Sequence, residues 1–125
     1  MRAHFILYVR DQKRSCDFYR RLLEREPRLD VPGMTEIELG DGAVLGLMPE
    51  AGITRLLGAR VDPSRAGGAP RAELYLLVDD AAALHARAVA AGAEELSPPS
   101  RRDWGHVAGY VLDPDGHVLA FAHAG

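Results

Sequence analysis

The sequence holds a single cysteine, Cys16, among its 125 residues. One thiol excludes an intrachain disulfide, so a buried core has to carry the stability, and a reducing, cytoplasmic setting is expected. Cys16 falls on the Tyr19 and Leu23 side of a helical pattern and reads as a small buried hydrophobe rather than a reactive thiol. Aromatic residues are scarce at 6%, with one tryptophan, Trp104, so any stacking surface must be built from few rings. Long apolar runs are missing as well. Phe5 to Val9 is too short for a signal-peptide core and nothing reaches the length of a membrane span, so no membrane partner is expected. Charge of one sign does not dominate: 15 basic and 18 acidic residues leave a formal charge of −3. Without a basic surplus no nucleic-acid partner is expected, and without an acidic block there is no reason to expect a disordered tail. No phosphate-binding loop, dinucleotide-binding glycine pattern or Cys/His zinc spacing occurs.

Hydrophobic residues at 47% and charged residues at 26% are ordinary for a globular protein of this size, which can bury a substantial core. The run His4 to Val9, rich in β-branched and aromatic residues, predicts a strand. Asp11 can cap a helix to about Arg25, with Cys16, Tyr19, Leu22 and Leu23 at three- and four-residue spacings, and Pro27 stops it. A short strand near Arg28–Val31, a Pro32-Gly33 turn and a strand Thr35–Leu39 follow. Asp41-Gly42 is a hairpin signal leading into a strand Ala43–Met48. The order is βαβββ.

A second copy of this order runs to the end. Glu73–Val78 predicts a strand, Asp79 or Asp80 caps an alanine-rich helix ending at Gly92, and Glu94–Leu96 makes a short strand. Val107–Leu112 predicts a longer strand, Asp113-Pro-Asp-Gly116 a turn and Val118–Ala122 the last strand. Asp11 and Asp80 are 69 positions apart and the two Asp-Gly turns 74 apart, so the second copy carries a longer loop around Ser97–Asp103. Matched order of signals, rather than similarity of residues, is what marks the duplication. Ser97-Pro-Pro-Ser100 reads as a stiff loop. The expected organisation is one domain over 1-125: a first module (1-49), a connector (50-71) with a helical turn at Ile53–Leu57, and a second module (72-125). The alternative reading of this segment is a lid over a pocket.

Three stretches carry a resemblance over nearly the whole chain. They are His4-Phe-Ile-Leu-Tyr-Val-Arg-Asp11 with Ser15-Cys-Asp-Phe-Tyr19, Leu76-Leu-Val-Asp79 before a helix, and Asp113-Pro-Asp-Gly-His117. Together they resemble the vicinal-oxygen-chelate superfamily of glyoxalases, bleomycin resistance proteins and dioxygenases. The Trp104-Gly105 pair before a strand resembles the bleomycin-resistance branch, whose loop here borders the ligand groove. The resemblance implies an α+β fold of tandem βαβββ modules, the glyoxalase/bleomycin resistance/dihydroxybiphenyl dioxygenase-like fold. Its mixed sheets form a cup with the helices outside. It also implies metal-ligand slots in the first and last strand of each module. These fall on His4, Gly46, Glu73 and Ala120. Glycine and alanine offer no donor, and a catalytic divalent ion needs about three protein ligands, so no cofactor is expected beyond a weakly held divalent metal.

Strand alternation then gives the cup face. Ile6 and Tyr8 accompany His4; Tyr75 and Leu77 accompany Glu73; Val44 and Met48 flank Gly46; Val118 and Ala122 flank Ala120. Phe5, Leu7, Val9, Leu74, Leu76, Val78, Leu119 and Phe121 take the opposite phase and should pack under the helices. A cup with two tyrosines, a methionine and few polar groups suits an apolar or aromatic small molecule, with Gly46 and Ala120 leaving room. Ile6, Tyr8, Gly46, Met48, Tyr75, Arg102, Trp104 and Ala120 are the expected ligand-binding residues, Trp104 offering a wall beside Arg102 and His106. A homodimer completing the cup is expected, as the resemblance implies. The alternative is an enzyme of lyase or dioxygenase type, using a degenerate metal site or a metal-free acid–base pair of His4 and Glu73. A structural dimer with no ligand is the third reading. His85 and His117 are expected at the surface, His123 lies close to the terminus, and none of the three is assigned chemistry.

Overall fold

The computed structural model describes residues 1–125, which divide into two compact units, 1–68 and 69–125. The first runs β1 (Ala3–Val9), α1 (Gln12–Leu23), β2 (Leu29–Val31), β3 (Met34–Gly40), β4 (Ala43–Pro49) and α2 (Glu50–Leu57), with a 3-10 turn at Pro63–Arg65. The second runs β5 (Glu73–Leu77), α3 (Ala81–Ala90), β6 (Glu94–Arg101), β7 (His106–Leu112) and β8 (Val118–Ala124). The sheet orders correspond, β1-β4-β3-β2 and β5-β8-β7-β6. First and last strands pair in parallel in each, and the other neighbours are antiparallel. This is the expected α+β arrangement of two βαβββ modules.

Local chemistry explains the boundaries. Asp11 and Asp80 both cap, accepting from the amides of Arg14 and Ala83 and satisfying donors that the first helical turn leaves open. Asp41 and Gly42 both take positive φ, 48° and 80°, the conformation that lets a two-residue hairpin follow the strand twist. Helix α1 stops two residues before the expected Arg25, with Glu24 in the left-handed region. The connector opens with a helix, α2, which buries Ile53 and lies against β4 and β1.

In the first unit, Val9, Ile37, Leu45 and Leu47 are fully buried together with Tyr19 and Leu22 of α1. Cys16 is buried here too. Burial pushes its thiol pKa up and the nearby Asp30 adds to the rise, so the nucleophilic thiolate is disfavoured. Phe5 departs from expectation and is 50% exposed. It sits on edge strand β1, whereas α1 packs on β3 and β4. Only the far end of β1, at Val9, is covered.

In the second unit α3 covers β6, β7 and β8, over a core of Leu74, Val111, Leu119 and Phe121. Ser97-Pro-Pro-Ser100 belongs to strand β6 instead of forming a loop. Two prolines lack amide donors, which an edge strand tolerates, and the pairing with β7 slips between Glu95 and Ser100. His85 is buried, contrary to the surface placement expected for it. It shares the inner face of α3 with Ala81 and Ala88, a spacing hidden among alanines on every side of the helix. Its Nε2 lies 2.7 Å from Glu95, while its Nδ1 is buried without a partner.

The imidazole rests on Gly109, where a Cβ would stand 2.5 Å from His85 Nδ1 and 2.8 Å from Pro99 Cγ. Neither neighbour is a flexible chain end. Gly109→Ala should therefore destabilise the protein by about 1–3 kcal/mol, measured by urea unfolding. The same change at Gly46, which meets the terminal carbon of Ile6, should cost clearly less.

Candidate functional site

Two sheet faces, one in each unit, collect the side chains with chemistry. In the first unit Ile6, Gly46 and Glu36 stand opposite one another across β1, β4 and β3, next to the row of His4, Val44 and Glu38. Tyr8 pairs with Met48 on the same face. His4, with a side chain 39% exposed, lies 3.5 Å through Nδ1 from Glu36 Oε2. Arg28 donates from Nε to Glu36 Oε1 at 3.0 Å and from Nη1 to Glu38 at 3.2 Å. The bond to Glu36 raises the Arg28 pKa further above its ordinary value. Glu36 was absent from the residues expected here. Its signal was the alternation of Glu36 and Glu38 in β3, which puts both carboxylates on the face of His4.

A divalent metal does not fit this face. Glu36 already balances Arg28 through Oε1, and of the ligand slots the resemblance implies on this face only His4 carries a donor. A side chain begun at Gly46 would meet Ile6 Cδ1 and, at 3.3 Å, Met34 Sδ. Those flexible chains would have to turn aside, and Gly46 itself offers no donor. No three His, Cys, Asp or Glu side chains gather in either unit in a way that could hold an ion. A cavity of about 220 Å³ does open beside His4, but Arg2, Arg28, Glu38 and Asp41 line it. It is small and charged, unlike the mostly apolar pockets that take drug-sized molecules.

In the second unit Tyr75, Ala120 and Tyr110 stand in register across β5, β8 and β7. Glu73 and Leu77 flank Tyr75 on this face, and Ala108 and Ala122 form the next row. Tyr75 does not stand upright. Its Oη reaches His106 Nδ1, at 2.6 Å, although His106 is paired with Ala124 four residues beyond Ala120. The ring therefore leans out of its own row toward the start of β7. The Tyr75 and His106 rings lie 5.8 Å apart and nearly parallel, at 27°. Trp104 completes the group by donating from Nε1 to Tyr75 Oη at 3.0 Å.

Arg102 holds the turn that carries Trp104. Its Nε and Nη2 donate to Ala108 O, and Nη2 also to Ser97 Oγ and Pro98 O. The guanidinium carbon lies 5.3 Å from the centre of the Tyr110 ring, within cation–π range. The backbone closes the same turn, Arg102 N to His106 O and Gly105 N to Arg102 O. Arg102 thus has a positioning role: it ties the slipped edge strand to β7 and sets the tryptophan. Burial raises the Tyr110 pKa, and Glu73 and Tyr75 raise it further. Tyr110 remains a neutral hydroxyl at physiological pH.

Tyr75 and Trp104 are thus joined in one cluster with His106, and Arg102 braces the turn beside them, whereas Ala120 is fully buried and exposes nothing to a ligand; Ile6, Tyr8, Gly46 and Met48 share the face of His4. His4 and Glu73 belong to different units, and the carboxylate beside His4 is Glu36. His106, expected only as a neighbour of the tryptophan wall, is bonded into the cluster.

Paired βαβββ units, each with polar side chains on the sheet face away from its helices, define a glyoxalase-like architecture. Residues 2–121 match the model of the Glyoxalase/Bleomycin resistance protein/Dioxygenase superfamily, and the chain belongs to that superfamily. A glyoxalase-related enzyme from Fulvimarina pelagi is 27% identical, with a TM-score of 0.83 over 98% of this chain and 87% of that one. A family enzyme from Burkholderia phytofirmans PsJN superposes equally well, at 0.83 over 97% and 96%, with 17% identity. A protein of unknown function from Agrobacterium tumefaciens str. C58 is 26% identical, with a TM-score of 0.80 over 99% and 94%. No curated protein matches the chain.

Proposed function

We propose that the protein binds a planar aromatic small molecule on the sheet face of its second unit, without a complete metal centre, and does so as a homodimer. The observation that carries this reading is Trp104, which is 57% exposed and nevertheless held by a hydrogen bond. An indole left in water forgoes the gain of burial. One pinned by its N–H to Tyr75, in a turn braced by Arg102, has already lost much of its rotamer freedom and presents a fixed stacking surface. Covering its exposed part, about 100 Å² of a tryptophan's usual burial, is worth roughly 2–3 kcal/mol at about 25 cal/mol per Å². Such a contribution is a minor share of the roughly 8 kcal/mol that micromolar binding requires, so the other face of the ligand and its polar groups must supply the rest. The half-buried Tyr75 ring adds an apolar surface beside the indole. The lack of a donor at Gly46 and the engagement of Glu36 by Arg28 argue against a metal-centred alternative on the first unit.

The homodimer rests on the edge strands. Phe5 and Ile6 on β1, and Leu77 on β5 at 69%, are exposed, and both strands are the outer members of their sheets. Exposed apolar residues on an unpaired edge invite pairing with another chain.

Because Trp104 is the sole tryptophan, intrinsic fluorescence reports directly on the proposed site. Titration with naphthalene and indole derivatives should quench or shift its emission. In calorimetry, Trp104→Ala should weaken the best of these ligands by at least about tenfold, in line with the burial estimate. Affinity unchanged by that substitution would sink the reading. For assembly, sedimentation equilibrium should give a dimer at micromolar concentration, with Phe5→Lys and Leu77→Lys shifting it to monomer; a monomeric native chain would refute the dimer.

A further inference from the structure

Strand β6 carries two residues more than β7 between Glu95 and Ser100, one before Ser97 and one after it. Each extra residue is a bulge that shifts later side chains to the other face, and the second bulge restores what the first reversed. Trp104 lies in the turn that leaves this strand, so its direction depends on both bulges keeping their places. The backbone ladder holds them poorly, because Pro98 and Pro99 have no amide to donate. Side chains hold them instead, from both faces of the sheet. On the face of Tyr110, Arg102 bonds Ser97 Oγ, Pro98 O and Ala108 O. On the face of Gly109, His85 of α3 bonds Glu95 at 2.7 Å, and the imidazole and Pro99 close on the same point above Gly109.

We propose that His85 and Glu95 are a positioning pair for Trp104, acting from the helix side of the sheet against Arg102 on the other side. Their bond fixes where the first bulge begins, and the seat that the imidazole shares with Pro99 fixes the second. An imidazole is otherwise a poor filler for this place. It is buried and its Nδ1 has no partner, so an apolar side chain of similar size would leave no polar atom unsatisfied. What the histidine alone supplies is the bond to Glu95. That carboxylate, on a side chain 47% exposed, is solvated with or without the bond. The pair therefore contributes position rather than burial. The route to the indole is continuous. It runs from Glu95 through the bulge to Ser97 and Pro98, then through Arg102 to the turn closed on His106, where Trp104 meets Tyr75. Helix α3 is thereby coupled to the exposed indole on the opposite face. The consequence for ligand affinity rests on the aromatic-ligand reading above; the placement of the indole does not.

Because Trp104 is the sole tryptophan, the whole protein gives one indole N–H resonance and one indole emission, and both are read without ligand. In Glu95→Ala and His85→Leu, each confirmed folded by circular dichroism, the resonance should shift or split. The emission anisotropy should fall as the indole loses its fixed bond to Tyr75. Urea unfolding separates position from stability. His85→Leu should keep the native midpoint or raise it. Leu119→Ala, a change in the core of β8, should lower the midpoint and leave the indole signals of the folded protein unchanged. Glu95→Gln keeps a hydrogen-bonding partner for the imidazole and should retain the native resonance and anisotropy. A single unshifted resonance with native anisotropy in both Glu95→Ala and His85→Leu would overturn the proposal. Indole signals altered as much by Glu95→Gln as by Glu95→Ala would overturn it too. In calorimetry, the aromatic that the native protein binds best should bind Glu95→Ala several-fold more weakly. Absence of any aromatic binding by the native protein would overturn the aromatic-ligand reading alone, since the indole signals decide the positioning by themselves.

Discussion

Parallel pairing of the first and last strand is the constraint on which each unit depends. In the second unit it places Tyr75 beside Ala120 and Leu76 beside Phe121, so one set of side chains goes under α3 and the alternate set faces away. A slip of one residue would exchange the two sets. Burial of Leu74, Leu119 and Phe121 beneath the helix fixes the register, and that register aims Tyr75 along the row of alanines toward His106. The polar cluster is therefore positioned by the apolar core on the opposite side of the same strands.

The two units use one plan to different ends. On the first face the charged groups satisfy one another: His4 faces Glu36, and Arg28 bridges Glu36 and Glu38. On the second face the hydrogen bonds run between aromatic side chains, Trp104 to Tyr75 and Tyr75 to His106, and the charged Arg102 is turned to backbone carbonyls. Balanced ion pairs at a partly exposed site contribute little and are screened by salt. The aromatic chain leaves an apolar ring exposed. For this reason the functional reading falls on the second unit, although the superfamily resemblance first draws attention to His4.

Much of the fold was legible in the sequence because its signals are local. The Asp caps at 11 and 80, the Asp41-Gly42 turn and the alternating apolar residues of β1, β5 and β8 each reflect a nearest-neighbour requirement of the backbone. The edge strand through Pro98 and Pro99 was read as a loop because prolines remove the very donors that define a strand, and only its position at the sheet edge permits it. His85 was misplaced because alanines surround α3, so helical periodicity could not say which side is buried. Phe5 follows the alternation faithfully, yet the helix does not extend over its end of β1. The membership of the candidate site was half legible. Tyr75, Trp104 and Ala120 follow from alternation and a loop position, whereas the pairing of His4 with Glu36, and of Tyr75 with His106, depends on side-chain lean across strands that no linear pattern encodes.

The central claim is that this superfamily member works through aromatic and hydrogen-bonding groups instead of a metal centre. Elemental analysis of untagged protein purified without chelator, followed by add-back of nickel, zinc and manganese, tests it most directly. The account predicts substoichiometric metal that is not restored by add-back, since Gly46 and Ala120 supply no donor and Arg28 occupies Glu36. Near-stoichiometric metal that is lost on His4→Ala or Glu36→Gln would contradict the account and make the first unit the reactive centre.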